Sequence, residues 1–184
     1  MKDPIVQVGD DVLRQHAKPI LKKDIGSPAI VALVRTMKRV LKGEKYGVAL
    51  AAPQVGASVR LFIVAGRVFE KGSEDEEKVS TLPDQVFINP EITRVSRKKK
   101  EMSEGCLSVR GQYGTVLRHE RVTLKALDEH GKPVLQHASG LLAHIFQHET
   151  DHLDGVLYID KVERLETDDM REELRAEFPP GETV

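Results

Sequence analysis

His148 and His152 stand four residues apart, with Glu149 beside the first, in Gln147-His148-Glu149-Thr150-Asp151-His152. On a helix, positions i and i+4 share one face a single turn apart. Two neutral imidazoles at that spacing can hold one transition-metal ion, and a neighbouring carboxylate can exchange protons with a water on that ion. The chemistry indicated is metal-assisted hydrolysis. The same short pattern also fits a solvated helix face with two histidines, and taken alone it leaves both readings open. His144 extends the series to i, i+4 and i+8. Positions 144 and 152 lie about 12 Å apart along a helix axis, and ligand bonds are about 2 Å long, so these two do not share an ion. A third protein ligand has to come from another segment.

The single cysteine, Cys106, is the candidate. Its thiolate is soft enough for iron or zinc. A lone cysteine also serves often as a small buried hydrophobe. Here Glu104-Gly105 and Leu107-Ser108 put a carboxylate and backbone amides beside it. One cysteine makes an intramolecular disulfide impossible, which fits a reducing compartment.

The elements that must position these groups follow from patterning. Ser27-Pro28 opens a helix, with serine as N-cap and proline at the first helical position. Ile30, Leu33, Val34, Met37, Val40 and Leu41 recur at helical spacing until Gly43. The small residues of Gly47-Val48-Ala49-Leu50-Ala51-Ala52-Pro53-Gln54 fit either close approach of a ligand backbone or a tight buried crossing. Residues 61–65 read as a central strand, and residues 86–90 as another ended by Pro90. Residues 69–83, centred on Glu74-Asp75-Glu76-Glu77, read as a polar surface loop. Residues 94–100 carry five basic side chains and read as a solvated hairpin tip. Val122, Leu124 and Ala126 share one face of a strand, and Asp128-Glu129-His130-Gly131 turns it into a hairpin. Ser139 is placed to cap the metal helix, with Leu141, Leu142 and Ile145 on its inner face and Gly155 stopping it. The tail from Thr167 to Phe178 reads as a short, mostly acidic helix. The expected fold is α+β, with antiparallel strands packed around a central helix carrying the His-Glu-x-x-His motif, in a single domain spanning residues 1–184 with an acidic tail from about residue 163.

At 184 residues one domain can bury roughly two thirds of its unfolded surface without staples. No segment approaches the ~20 apolar residues that span a bilayer, and the N-terminus lacks signal or transit character. A cytoplasmic protein is expected. The net charge of −1 supplies no field arguing for DNA or an anionic membrane as main partner.

Three stretches in order, residues 47–54, Glu104-Gly105-Cys106-Leu107-Ser108 and residues 147–152, closely resemble the signatures of the peptide deformylase family, and the similarity covers roughly residues 5–162. The resemblance implies hydrolysis of the formyl group from the N-terminal formyl-methionine of newly synthesised polypeptides, with release of formate. It implies that Cys106, His148 and His152 hold one divalent metal, natively Fe(2+), with Zn(2+), Ni(2+) or Co(2+) able to substitute. The fourth position is left for a water, as a catalytic site requires. By chemistry, Glu149 suits the proton transfers, and Gln54 with the backbone N–H of Leu107 suits a developing oxyanion. Asp151 and Glu104 are expected to be supporting groups. By matching position, Val48, Leu141, His144 and Ile145 line a pocket for the methionine side chain, while Ala49 and Gly105 bind the peptide backbone in extended form.

The chain departs from the family pattern where Ala49 replaces a glycine, Arg110 a proline and His144 an apolar residue. Arg110 is expected to make the rim more basic, and His144 fits a partly exposed helix position as well as a pocket one. The partners implied are N-formyl-methionyl nascent peptides, met by a monomer. Seven acidic residues between Glu163 and Phe178 place any transient ribosome contact away from the tail. A metallopeptidase, a non-enzymatic metal-binding module and a cysteine hydrolase are the competing readings.

Overall fold

The computed structural model describes residues 3–70, 80–162 and 165–167. Ile5 is buried near the start, and a 3-10 turn at Asp11–Arg14 is capped by the side chain of Asp10. Helix α1, Pro28–Gly43, begins as its sequence dictates: Ser27 accepts from the Ile30 amide at 3.4 Å and Pro28 holds the first turn. Its Val34, Met37, Val40 and Leu41 are buried.

Strands β1 (Ala49–Ala51), β2 (Leu61–Val64) and β3 (Gln85–Val95) follow, then β4 (Lys99–Cys106), β5 (Val109–His119), β6 (Arg121–Leu127) and β7 (Pro133–Ser139). Helix α2, Gly140–Leu153, comes next, and a short β8, Leu165–Thr167, closes the described chain. The strands form two antiparallel sheets, of order β1-β2-β3-β6-β7 and β4-β5-β8. The α+β expectation holds, and α2 touches strands of both sheets. Among the described residues no helix is long and apolar enough to cross a membrane.

Several local expectations change. The strand expected to end at Pro90 continues to Val95, because the register shifts between Ile88 and Glu91 and so accommodates a residue without an N–H. Asn89 adopts a positive φ of 50° at that irregularity. Its side chain pairs with both backbone groups of Ile20, at 2.8 and 2.7 Å. The basic run is not a hairpin tip: β3 pairs with β6 and β4 with β5, so residues 96–98 form a corner passing from one sheet to the other. Backbone bonds from Ser96 to Arg121 and from Glu120 to Lys98 hold that corner. Ser139 occupies the N-cap position of α2, but its hydroxyl makes no cap bond. Leu141, expected on the inner face, is 52% exposed. The acidic loop's residues 71–79 lie outside the described residues, as does most of the expected terminal helix, of which Thr167 belongs instead to strand β8.

Helix α2 is buried on most of its circumference. On the side of the five-stranded sheet, Phe146 meets Phe62 and Phe87 with ring centroids 6.0 and 5.1 Å away, a cluster that fixes the helix against β2 and β3. Gln147 makes a second anchor. It accepts from the His119 amide at 3.0 Å and donates to the His119 carbonyl at 2.9 Å, tying α2 to the end of β5. Past the helix, Gly155 has φ of 75°, and a Cβ there would lie 2.6 Å from the Arg14 carbonyl, so only glycine makes this turn without strain.

Candidate metal centre and substrate cleft

The anchored helix presents His148 and His152 to the end of β4, where Cys106 sits. The potential ligand atoms of these three residues all lie within 4.8 Å of one another. The thiol sulfur is 3.2 Å from Nε2 of His152. Two ligands on one tetrahedral ion, with bonds near 2.3 and 2.1 Å, stand about 3.6 Å apart, so the spacing fits a shared ion and the S, N, N donor set fits zinc or iron. Burial opposes ionisation of Cys106, but the neighbouring His152 and His148 rings override it and hold its pKa well below that of a free thiol. The site is therefore prepared to supply a thiolate.

Glu104 lies behind this cluster, one strand alternation from Cys106. His148 donates through Nδ1 to Glu104 Oε2 at 2.8 Å, which leaves Nε2 of that ring for an ion. Arg118 grips the same carboxylate through Nε and through Nη2, the latter at 2.9 Å, and reaches Asp151 at 2.7 Å. Glu104 is 7% and Arg118 4% exposed, so two buried charges neutralise each other. Burial alone would raise the Glu104 pKa, but Arg118, His144 and His148 together hold it well below the usual carboxylate range. Burial of His148 is likewise outweighed, by Cys106 and Glu104, and its pKa rises to about 10. Tyr158, itself buried, stacks on His148 with the planes 23° apart and donates its hydroxyl to the Gln112 carbonyl at 2.8 Å.

Glu149 is 4% exposed, and its Oε2 has no hydrogen-bond partner among the described residues. Burial pushes its pKa up to about 7, only partly offset by the His148 and His152 rings. Nδ1 of His152 is also buried and has no hydrogen-bond partner among the described residues. Gln54, in the 3-10 turn Ala52–Val55, accepts from the Ala51 amide at 2.8 Å, which fixes its flip. Its Nε2 then points to Ser108 Oγ at 3.2 Å and to the Cys106 sulfur at 3.5 Å.

These groups border a cleft of about 480 Å3. Val48, Ala49, Gly105, Leu141, His144 and Ile145 all line it, as do Gln54, Leu107 and Glu149. His152 is buried behind it. His144 is not the partly exposed histidine that its helix position also allowed: it is 5% exposed, with Nε2 2.9 Å from Glu104 Oε1 but out of hydrogen-bond alignment. Nor does Arg110 make the rim more basic, because Glu44 and Asp3 both pair with it.

Sequence reasoning missed Arg118 and Tyr158 as neighbours of the site, and it named Ser108 only for its backbone beside Cys106. For Arg118 a signal existed: Gly114, Val116 and Arg118 alternate on the buried face of β5, and a cation in such a row needs a buried partner. Tyr158 carries no comparable local mark.

The chain is similar to known proteins in both sequence and fold. The family model "Polypeptide deformylase" matches residues 2–168. A peptide deformylase of Carboxydothermus hydrogenoformans is 40% identical over 161 residues, 88% of this chain and 93% of that one. A class I type b peptide deformylase from Acinetobacter baumannii, solved with Met-Ala-Ser bound, superposes with a TM-score of 0.76 at 33% identity, covering 86% of this chain and 97% of that one. One from Legionella pneumophila gives 0.73 at 37% identity, covering 94% and 90%. The match extends over nearly the whole described fold and includes every segment that builds the cleft: the chain belongs to the polypeptide deformylase family.

Proposed function

We propose the following division of labour for the family's reaction in this chain, carried by one observation: a buried carboxylate oxygen of Glu149 without a hydrogen-bond partner among the described residues, beside three clustered metal-ligating atoms at the wall of a cleft. The chain is a hydrolase that removes formyl groups from the N-termini of polypeptides. Cys106, His148 and His152 hold one divalent ion, natively Fe(2+), with Zn(2+), Ni(2+) or Co(2+) as substitutes. When bound, it supplies Lewis acidity, polarising the formyl carbonyl and acidifying water. Glu149 accepts the proton released as water adds to the formyl carbon. The same carboxylic acid then protonates the nitrogen as the C–N bond breaks, giving formate and a free amine. The amide of Gln54 and the N–H of Leu107 donate to the oxygen that gains charge.

Val48, Leu141, His144 and Ile145 take the methionine side chain, and the backbones of Ala49 and Gly105 hold the peptide in extended form. The Acinetobacter baumannii relative, solved with Met-Ala-Ser bound, supports a peptide ligand. The substrates are N-formyl-methionyl nascent chains, met in the cytoplasm by a monomer. Transient contact with the ribosome would bring enzyme and substrate together.

The test is formate release from formyl-Met-Ala-Ser by metal-loaded protein prepared without oxygen. Wild type releases formate, and Glu149→Ala binds metal equally but does not turn over. No formate from the loaded wild type overturns the reading.

A further inference from the structure

The cleft runs between the edges of two different sheets. One wall is Val48 and β1, at the edge of the five-stranded sheet, and the other is the end of β4 with the first residues of β5. Near the metal ligands the walls are tied by Gln54 to Ser108 at 3.2 Å. At the mouth a second tie exists. Arg110 forks onto Glu44, with Nη1 to Oε2 at 3.2 Å and Nη2 to Oε1 at 2.9 Å, while its Nε donates to Asp3 at 3.2 Å. Glu44 follows α1, and its carbonyl accepts from Gly47 at 3.1 Å in the turn that leads into Val48. That turn is closely packed: a Cβ on Gly47 would meet Leu41 and Glu44 at 3.0 Å and Leu107 at 3.3 Å. A pull on Glu44 is therefore transmitted to Val48 on one side and borne by the Leu107–Arg110 segment on the other.

We propose that Arg110, with Glu44 and Asp3, forms a clasp that holds the two walls of the cleft at their working separation, making Arg110 and Glu44 positioning residues for substrate affinity. This rests on the deformylase reading of the site. A planar guanidinium held at both ends of its fork fixes distance and angle, which a point charge does not. The side chains of Arg110 and Glu44 are 45% and 22% exposed, so the clasp is within reach of salt screening.

The experiment measures kcat and KM for formyl-Met-Ala-Ser, and the affinity for Met-Ala-Ser without turnover, in metal-loaded wild type, Arg110→Ala, Glu44→Gln, the double variant and Arg110→Lys. Each single substitution raises KM and weakens Met-Ala-Ser about fivefold with kcat little changed, the size expected of one well-formed surface pair. The double variant is no worse than either single, and lysine restores only part of the loss. Added salt raises the wild-type KM towards that of the variants and leaves theirs flat. Unchanged KM and affinity in both single variants, a loss confined to kcat, or losses that multiply in the double variant each overturn the clasp. Absence of formate release with normal, clasp-dependent Met-Ala-Ser binding would instead overturn the assigned reaction and leave the clasp standing.

Discussion

His148 on α2 donates to Glu104 on β4 across 2.8 Å, and this bond joins a metal-ligating ring to a carboxylate that Arg118 holds from the other side. The ring is thereby oriented with one nitrogen engaged and the other directed at the cluster of Cys106 and His152.

Substituting Glu104→Gln should therefore weaken metal binding by about 10- to 100-fold. An amide keeps the size of the side chain but removes the charge that orients and enriches the ring. Competition against a chelator of known affinity measures it; an unchanged constant would show that the bond plays no part in holding the ion.

Arg118→Met leaves Glu104 buried without its main cation and removes one partner from Asp151. Losing one member of a buried pair typically costs about 3–5 kcal/mol. Lys161 still reaches Asp151 at 2.6 Å, so the expected value is at the lower end. Urea unfolding of the metal-free variant gives the number directly.

Stability of the metal-free protein should depend on pH through Glu149. Its pKa of about 7 is raised above the value for an unfolded glutamate, so the folded state favours the neutral acid. The associated stability is fully present below the unfolded pKa and is lost as pH rises through 7. Glu149→Gln cannot ionise, and should match wild type near pH 4 and exceed it above pH 7, by up to about 3 kcal/mol. Denaturant midpoints across that range that run parallel would contradict the assignment.

Gln54→Ala should lower kcat by about 10²- to 10³-fold while metal content stays near one per chain. The donor faces Cys106 and Ser108 without belonging to the three ligands. A variant that loses its metal, or one that keeps full turnover, would remove Gln54 from the oxyanion role.

Phe146→Ala tests how the helix is seated. Its ring lies 5.1 Å from Phe87 and 6.0 Å from Phe62, and truncating such a buried aromatic typically costs about 3–5 kcal/mol. Because His148 and His152 ride on the same helix, the variant's loss in thermal stability should be accompanied by weaker metal retention on dialysis.

What the chain alone determined are the features written in local spacing. His148 and His152 share a helix face because an α-helix repeats every 3.6 residues, and Ser27-Pro28 starts α1 because serine and proline suit those two positions. Helix rise alone ruled out one ion shared by His144 and His152. Residue types also marked Cys106, Glu149 and Gln54, and three spaced motifs together carried the family resemblance.

Only the tertiary structure decided the rest. Strand pairing made the basic run a corner between sheets, because the choice of partner for β3 and β4 is made by residues far along the chain. Burial turned Glu104 from a neighbour of Cys106 into the anion gripped by Arg118 and His148, and buried His144 against it. The charge of Arg110 was visible in the sequence, but its neutralisation by Glu44 and Asp3, 66 and 107 residues away, was not. Periodicity reports which face a residue occupies within its own element; which residue from another element meets it there is set by packing and by the need to pair buried charge.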